Sequence, residues 1–293
     1  MKTIPLIAVL VAVFLLAPPG GASVTRQRIA FVDEFASVTG AIDSIGLDGR
    51  DLRRLRDGYD AAASRDGSEL AFEGDGGLNV MRADGTHDRQ IDVEGSTIDG
   101  QPAWSPDGKR IVFTKTISPA PSGALFQSTL YTIDPNGSGR RRLVTTAFNN
   151  PGPSWIDAKQ ILITAGSGRL AIISAETGKT ERTIELPVRG TQPAPDPPAL
   201  APDGREIAYV ECDNADCSFS SVDLISLKGR LLRHIRGGHT PSWTPGGDLL
   251  YACCGQAGIH GQQSRIMFAP RGGGPAKPIT PPSISADDPR WLG

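Results

Sequence analysis

Short apolar runs recur along the chain at intervals of roughly 40–50 residues and are separated by turns rich in Gly, Pro and Asp. The runs are RIAF (28–31), ELAF (69–72), RIVF (110–113), QILI (160–163), EIAY (206–209) and DLLY (248–251). Brief apolar segments bounded by turn residues are typical of buried β-strands. Since long helical patterns are few, the pattern predicts an all-β protein.

A second motif precedes most of these runs. The segment PAWSPDGKRIVF (102–113) has related copies at 153–163, 198–209 and 241–251, and a degraded copy at 61–72. Each copy predicts an entering strand, a tight turn and then the apolar strand. The residues at the tryptophan position, which we call anchors, are Ala63, Trp104, Trp155, Leu200, Trp243 and Trp291. We expect the four tryptophans to pack between adjacent units as structural residues.

A glycine turn follows the third strand of each unit, and an apolar residue ends the fourth strand. The glycines are Gly49, Gly85, Gly137, Gly178, Gly229 and Gly272, and the strands end at Leu55, Ile91, Leu143, Ile184, Ile235 and Ile279. Asp-Gly and Asn-Gly pairs favour the positive φ of tight hairpins. Four short strands in each of six units predict a six-bladed β-propeller over residues 24–293.

The two ends of the predicted domain complement each other. The first unit begins directly at its second strand, and the C-terminus supplies DPRW, a further anchor segment. We therefore expect the C-terminal segment to pair into the first blade and close the ring. Closure removes a free sheet edge.

The W-S-P-D-G segment, the R-I-V-F strand and the D-x-x-G hairpin resemble the repeats of the TolB-like β-propeller family, also called WD40-like PD40 repeats. The resemblance covers essentially residues 25–293 and implies the same six-bladed fold. TolB carries an additional α/β domain before its propeller, which we do not find after residue 23. The resemblance therefore implies a fold and not the role of TolB.

Residues 1–23 predict a secretory signal peptide. Lys2 precedes the apolar run IPLIAVLVAVFLL (4–16), and small residues follow near Ala22. The run is shorter than a spanning helix needs, although an uncleaved anchor stays an alternative. Export to the periplasm, the cell envelope or the outside permits disulfides, and Cys212 and Cys217 are close enough in sequence to form one. The pairing of Cys253 and Cys254 stays open.

Composition narrows the function classes. A formal net charge of -2 argues against nucleic acid as a partner. The motifs G-x-S-x-G, H-E-x-x-H and G-x-x-x-x-G-K-[ST] do not occur. The sequence thus favours a binding protein over an enzyme, with no cofactor predicted.

Innermost strands of a propeller line its central channel, so the residues three and four positions before each anchor should ring one channel mouth. Converging carboxylates at such a mouth suit a divalent cation or a basic peptide terminus, or they hydrogen-bond turn amides. The candidate binding residues are Asp60, Gln101, Asp196, His239, Asp287 and Asp288.

Two functions follow from this reading, beside a structural role as an envelope- or wall-associated part without a small ligand. The first is an exported, monomeric, non-catalytic scaffold that presents its loops and channel mouth to a protein or peptide partner in the cell envelope. The alternative is a metal-assisted lyase or hydrolase that acts on a sugar or a lactone at the same mouth. Neither prediction includes a spanning membrane segment after removal of the signal peptide.

Overall fold

The computed structural model describes residues 27–33, 40–92, 98–117, 127–146, 151–166, 168–187, 192–193, 196–213, 220–253 and 264–292. The predicted signal peptide and Cys217 lie outside these residues. In this part of the chain the regular elements are all β-strands, and no helix is long and apolar enough to cross a membrane. The all-β prediction is confirmed.

The strands form six antiparallel sheets, which are the blades of the propeller. Blade 1 contains β1 (Arg28–Asp33), β2 (Ala41–Gly46) and β3 (Arg53–Asp57). Blade 2 contains β4 (Tyr59–Ala63), β5 (Glu69–Gly74), β6 (Gly77–Arg82) and β7 (Arg89–Asp92). Blade 3 contains β8 (Ile98–Trp104), β9 (Ile111–Ile117), β10 (Gln127–Ile133) and β11 (Arg141–Thr146).

Blades 4 to 6 complete the ring. Blade 4 contains β12 (Ser154–Trp155), β13 (Gln160–Thr164), β14 (Arg169–Ser174) and β15 (Thr180–Glu185). Blade 5 contains β16 (Gln192–Pro193), β17 (Ala199–Leu200), β18 (Glu206–Cys212), β19 (Ser220–Ser226) and β20 (Leu231–Arg236). Blade 6 contains β21 (Gly238–Trp243), β22 (Leu249–Cys253), β23 (Arg265–Ala269) and β24 (Lys277–Pro278), and the chain continues into β25 (Ala286–Trp291).

Closure of the ring follows the sequence prediction. β25 pairs antiparallel with β1, with Trp291 opposite Ile29 and Arg290 opposite Ala30, and so becomes the innermost strand of blade 1. The innermost strands β25, β4, β8, β12, β17 and β21 contact one another around the axis. The six-bladed propeller closed by its C-terminal segment is confirmed.

Blade 5 departs from the simple four-stranded pattern. Its innermost strand is split into β16 and β17, which both pair with β18. The segment between them ends with Asp196, Pro197 and Pro198. Proline has no backbone N–H to donate to a sheet, so the ladder is interrupted there.

The core lies between the blades. Within the described residues, each interface between neighbouring blades has its own cluster of buried apolar side chains. Phe113 on β9 and Ile91 on β7, for example, share the cluster between blades 2 and 3. Second and third strands are covered on both faces, which explains why the sequence shows continuous apolar runs there and no alternation. The same interface holds a buried ion pair, with Lys115 Nζ 2.7 Å from Asp92 Oδ2.

The glycine turns pack against the fourth strand of the preceding blade. A Cβ atom at Gly178, whose φ is 68°, would lie only 2.4 Å from the carbonyl oxygen of Leu143. Similar approaches occur at Gly49, Gly85, Gly137 and Gly229. In blades 1 to 5 the turn glycine is as predicted, but the fourth strand continues one to three residues beyond its predicted last residue. Blade 6 differs in the turn glycine as well. There the positive φ belongs to Gly273, not Gly272, and Ile279 then follows the turn glycine by the same interval as in the other blades.

Candidate functional site

Most residues three positions before an anchor have a left-handed backbone. Such φ values are uncommon for residues other than glycine and cost about 1 kcal/mol or more each. In blade 5 a proline, whose ring fixes a negative φ, occupies the position. The left-handed residues, with φ between 43° and 53°, are Asp60, Gln101, Gly152, Thr240 and Asp288.

This conformation directs backbone N–H groups toward carboxylates of neighbouring residues. The N–H of Gln101 in blade 3 donates to Asp60 Oδ2 in blade 2 at 3.0 Å. The N–H of Thr240 in blade 6 donates to the carboxylate of Asp196 in blade 5. These two carboxylates therefore join adjacent blades. They do so through hydrogen bonds to backbone amides, the alternative role that the sequence analysis left open for them.

Asp287 is held by three groups. Thr240 Oγ1 donates to Asp287 Oδ1 at 2.5 Å, and the N–H of Asp288 donates to the same oxygen at 2.6 Å. His239, which is buried, places Nε2 3.3 Å from Asp287 Oδ2. Burial raises the pKa of Asp287, but the charge of His239 and the hydrogen bonds outweigh it and lower the pKa to about 2. Asp287 is thus a stable carboxylate.

Asp288 is in a different environment. Its Oδ1 lies 2.5 Å from Arg290 Nη2, while its buried Oδ2 accepts no hydrogen bond from the described part of the chain. Burial raises the pKa of Asp288 to about 7, since the nearby Asp60, Asp287 and Asp196 add to the effect and Arg290 only partly opposes it. A buried acceptor without a donor is costly. Asp288 Oδ2 is thus a buried acceptor whose hydrogen-bonding capacity the described residues do not use.

Two further carboxylates complete the acidic cluster. Burial, together with the charge of Asp287, raises the pKa of Asp196 to about 6. Burial also raises the pKa of Asp60 above its usual range. Such shifts are common where binding sites concentrate like charges.

The structure brings the predicted residues together at one cavity of ≈ 190 Å³. Asp60, Gln101, Asp196, Asp287 and Asp288 all line it. His239 does not appear in its wall but contacts Asp287. We call this cavity, with His239, the acidic mouth.

Sequence reasoning did not propose as binding residues three other polar side chains of the acidic mouth. Arg290 and Thr240 line the cavity, and the partly exposed Tyr59 stands at its rim. A signal for Arg290 existed, because it lies one position before the anchor Trp291 on the same inner strand. Thr240 lies three positions before the anchor Trp243, and Tyr59 lies four positions before the anchor Ala63, so both are at positions that predict the ring.

Metal ligation was an open expectation for this mouth. In the described ranges, no group of three or more His, Cys, Asp or Glu side chains has the arrangement to hold a metal ion. The divalent cation and the metal-assisted lyase or hydrolase therefore stay hypotheses without an assigned set of ligands.

The four tryptophans lie between blades and also meet at the other end of the channel. Trp104 Nε1 donates to the carbonyl of Ala62 at 3.1 Å, and Trp155 Nε1 to that of Ala103 at 2.9 Å. Each bond ties an anchor to the inner strand of the preceding blade. All four tryptophans line a second cavity of ≈ 360 Å³, with Trp243 and Trp291 only partly buried. We call it the tryptophan cavity.

The described residues do not test the predicted disulfide between Cys212 and Cys217. Cys212 is buried at the end of β18, beside Cys253 in the cluster between blades 5 and 6. Its predicted partner, Cys217, lies outside the described part of the chain. The Cys212–Cys217 bond stays a prediction.

No protein-family model and no curated protein sequence matches this chain. Solved structures do match it. A chain of a nidogen/laminin complex has a TM-score of 0.67 at 10% identity, covering 91% of this chain and 98% of that one. A chain described as a TolB from Agrobacterium tumefaciens has a TM-score of 0.57 at 16% identity, covering 92% and 99%.

An enzyme also shares the architecture. An oligogalacturonate lyase in complex with manganese has a TM-score of 0.58 at 11% identity, covering 86% of this chain and 73% of the lyase. Likeness at these identities concerns the fold and carries no activity. By its blades, its closure and these comparisons, the chain is a six-bladed β-propeller of the architecture found in TolB and oligogalacturonate lyase.

Proposed function

We propose that the protein is an exported, non-catalytic binding module whose acidic mouth receives a positively charged group of a protein or peptide partner. The bare, buried Oδ2 of Asp288 is the observation that carries the proposal. Asp288 lines a cavity with four carboxylates, for which the described residues supply Arg290 and His239 as counter-charges. An ammonium or guanidinium group would supply both the missing donor and the missing charge.

The size of the acidic mouth fits part of a chain and not a whole domain. A volume of ≈ 190 Å³ corresponds to about six water molecules, so it accommodates one basic side chain or an amino terminus. The surrounding propeller face then contacts the rest of the partner. Because the backbone around the mouth is held in left-handed conformations, the carboxylates are positioned before binding.

Binding should be coupled to protons. Burial keeps the pKa of Asp288 at about 7 and that of Asp196 at about 6, so both carboxyl groups are largely protonated at pH 5. A cation favours the ionised forms and would release these protons on binding. Affinity should therefore rise as the pH rises from 5 to 8.

The export part of the proposal rests on residues 1–23, whose pattern is that of a signal peptide. It places the partner in the cell envelope or outside the cell. Expression of the full chain, followed by fractionation and N-terminal sequencing of the mature protein, tests this part separately. A cytoplasmic, uncleaved protein would contradict it without affecting the mouth.

The mouth is tested with a fluorescently labelled lysine-rich hexapeptide and its glutamine counterpart, by fluorescence polarisation at low salt. We expect the lysine peptide alone to bind, with about tenfold lower affinity at pH 5 than at pH 8. Asp288→Asn should weaken binding by about tenfold at pH 8 and reduce the pH dependence to the part that Asp196 contributes between pH 5 and 7.

Glu185→Gln is the matched control, because Glu185 is an exposed carboxylate on β15, the outermost strand of blade 4. It should bind as the unaltered protein does. Equal binding of both peptides, or equal affinity of the unaltered protein and Asp288→Asn, would contradict the proposal. No binding of the lysine peptide would contradict it as well.

A further inference from the structure

The tryptophan cavity lies at the opposite end of the inner strands from the acidic mouth. Each anchor is three residues beyond the left-handed position, which is about 10 Å along a strand. The chain has 4 tryptophans, and all of them line this one cavity of ≈ 360 Å³. Nothing in the proposed function uses this concentration of aromatic surface.

The walls of the cavity are rigid. The indole N–H groups of Trp104, Trp155 and Trp243 each donate to a backbone carbonyl of the preceding blade. Leu200 and Ile156 add further apolar surface. Cavities with mostly apolar and aromatic walls and a few polar groups are typical of small-molecule sites, and the volume lies in their usual range.

The charge inside the cavity is positive. Among the described residues that line it, Arg65 and Arg290 are charged and none is Asp or Glu. Arg290 is paired with Asp288, whereas Arg65 has no ion pair within the described residues. The neighbouring Asp66 lies outside the lining and accepts hydrogen bonds from Ser64 and Ser68 in its own turn. Arg65 is thus the cation available to a ligand.

We propose that the tryptophan cavity binds a small organic anion, namely a carboxylate carried by an apolar or aromatic body. The body would pack against the tryptophans, and the carboxylate would pair with the Arg65 guanidinium, whose planar fork matches two carboxylate oxygens. The volume corresponds to about a dozen water molecules, which sets the size of the ligand. Arg290 lines both cavities, but the anion is proposed to pair with Arg65, which lines the tryptophan cavity and not the acidic mouth, so the proposal does not depend on the function of the mouth.

The tryptophans themselves report on binding. With excitation at 295 nm, emission comes from the four residues that line the cavity, so a bound ligand changes it directly. The probes are 4-phenylbutyrate, its amide and 4-phenylbutylamine, which share one body and differ in charge. We expect a saturable change with the carboxylate, about tenfold weaker binding of the amide and the weakest binding of the amine.

Arg65→Gln should weaken carboxylate binding by about tenfold and leave the affinity for the amide unchanged, while Arg65→Lys should retain part of the affinity. Arg205→Gln is the control, because Arg205 is exposed in the equivalent turn of blade 5 but does not line the cavity. Both arginines are exposed, so the variants should fold normally. Equal affinity for carboxylate and amide, no saturable response, or equal loss in the two Gln variants would overturn the proposal.

Discussion

Replacing Asp288 by Asn should change the pH dependence of stability. Burial raises the pKa of Asp288 from 3.8 to about 7 in the folded chain. The folded state therefore holds this proton more tightly than the unfolded state does. The resulting stabilisation is fully present below about pH 4 and is lost as the pH rises through 7. A shift of about three units at 1.36 kcal/mol per unit amounts to about 4 kcal/mol over this range.

The Asn variant lacks this proton. The free energy of unfolding of the variant minus that of the unaltered protein should therefore increase with pH, by up to about 1.4 kcal/mol per pH unit between pH 5 and 7, and level off above pH 8. Asp196 is present in both chains, so its own titration largely cancels. Replacing the carboxyl by an amide also has an effect on stability that does not depend on pH. This effect cancels, because only the change of the difference with pH is compared.

Urea denaturation at pH 5, 6, 7 and 8, followed by circular dichroism, measures this difference. Glu185→Gln, an exposed carboxylate on an outermost strand, should show a difference that does not change over this range. If the difference for Asp288→Asn is equally flat, Asp288 does not carry a raised pKa. The physical basis for proton-coupled binding at the acidic mouth would then be lost.

Three further predictions concern the contacts between blades, all measured by urea denaturation at pH 7. Trp155→Phe should lower the free energy of unfolding by about 0.5–1.5 kcal/mol, because the partly buried carbonyl of Ala103 loses its donor; a neutral effect would mean that this bond does not hold blades 3 and 4 together. Lys115→Met should lower the free energy of unfolding by about 1–3 kcal/mol, because Asp92 Oδ2 loses its buried partner while Arg140 still pairs with Oδ1. The added change Asp92→Leu should recover part of the loss, and no recovery would contradict a coupling between Lys115 and Asp92. Gly178→Ala should lower the free energy of unfolding by at least about 2 kcal/mol, because the added Cβ atom would overlap with the preceding blade. Gly204 has a similar positive φ but open space around it, so Gly204→Ala should lower the free energy of unfolding by only about 1 kcal/mol. Equal losses in the two variants would refute the contact with the preceding blade.

The fold was predictable because its determinants are local and repeated. A turn such as DPNG and a run such as RIVF each specify their own structure, and their recurrence specifies the number of blades. Closure followed from the lone DPRW segment at the C-terminus. The errors occurred where local signals compete: RGGG offers three adjacent glycines for one turn, and the proline run before Ala199 interrupts a strand that the repeat predicted as continuous.

The candidate site was predictable in position but not in chemistry. Counting back from the anchors placed Asp60, Asp196 and Asp288 at one mouth. The left-handed backbone was not predictable, because Gln101 and Thr240 are not residue types that favour it. Tertiary contacts between neighbouring inner strands impose that conformation, and they also decide which carboxylate oxygens are satisfied.

The two mouths show how one repeat produces two opposite chemistries on a single axis. Every repeat position becomes a ring around the channel, so the residue types at one position set the character of one ring. Acids accumulate three and four positions before the anchors, and tryptophans at the anchors themselves. The anchor ring also contributes to the fold, because Trp104 and Trp155 belong to the apolar clusters between the blades. Blade 2 differs at this position, since its anchor is the small Ala63, which lines the tryptophan cavity next to Arg65.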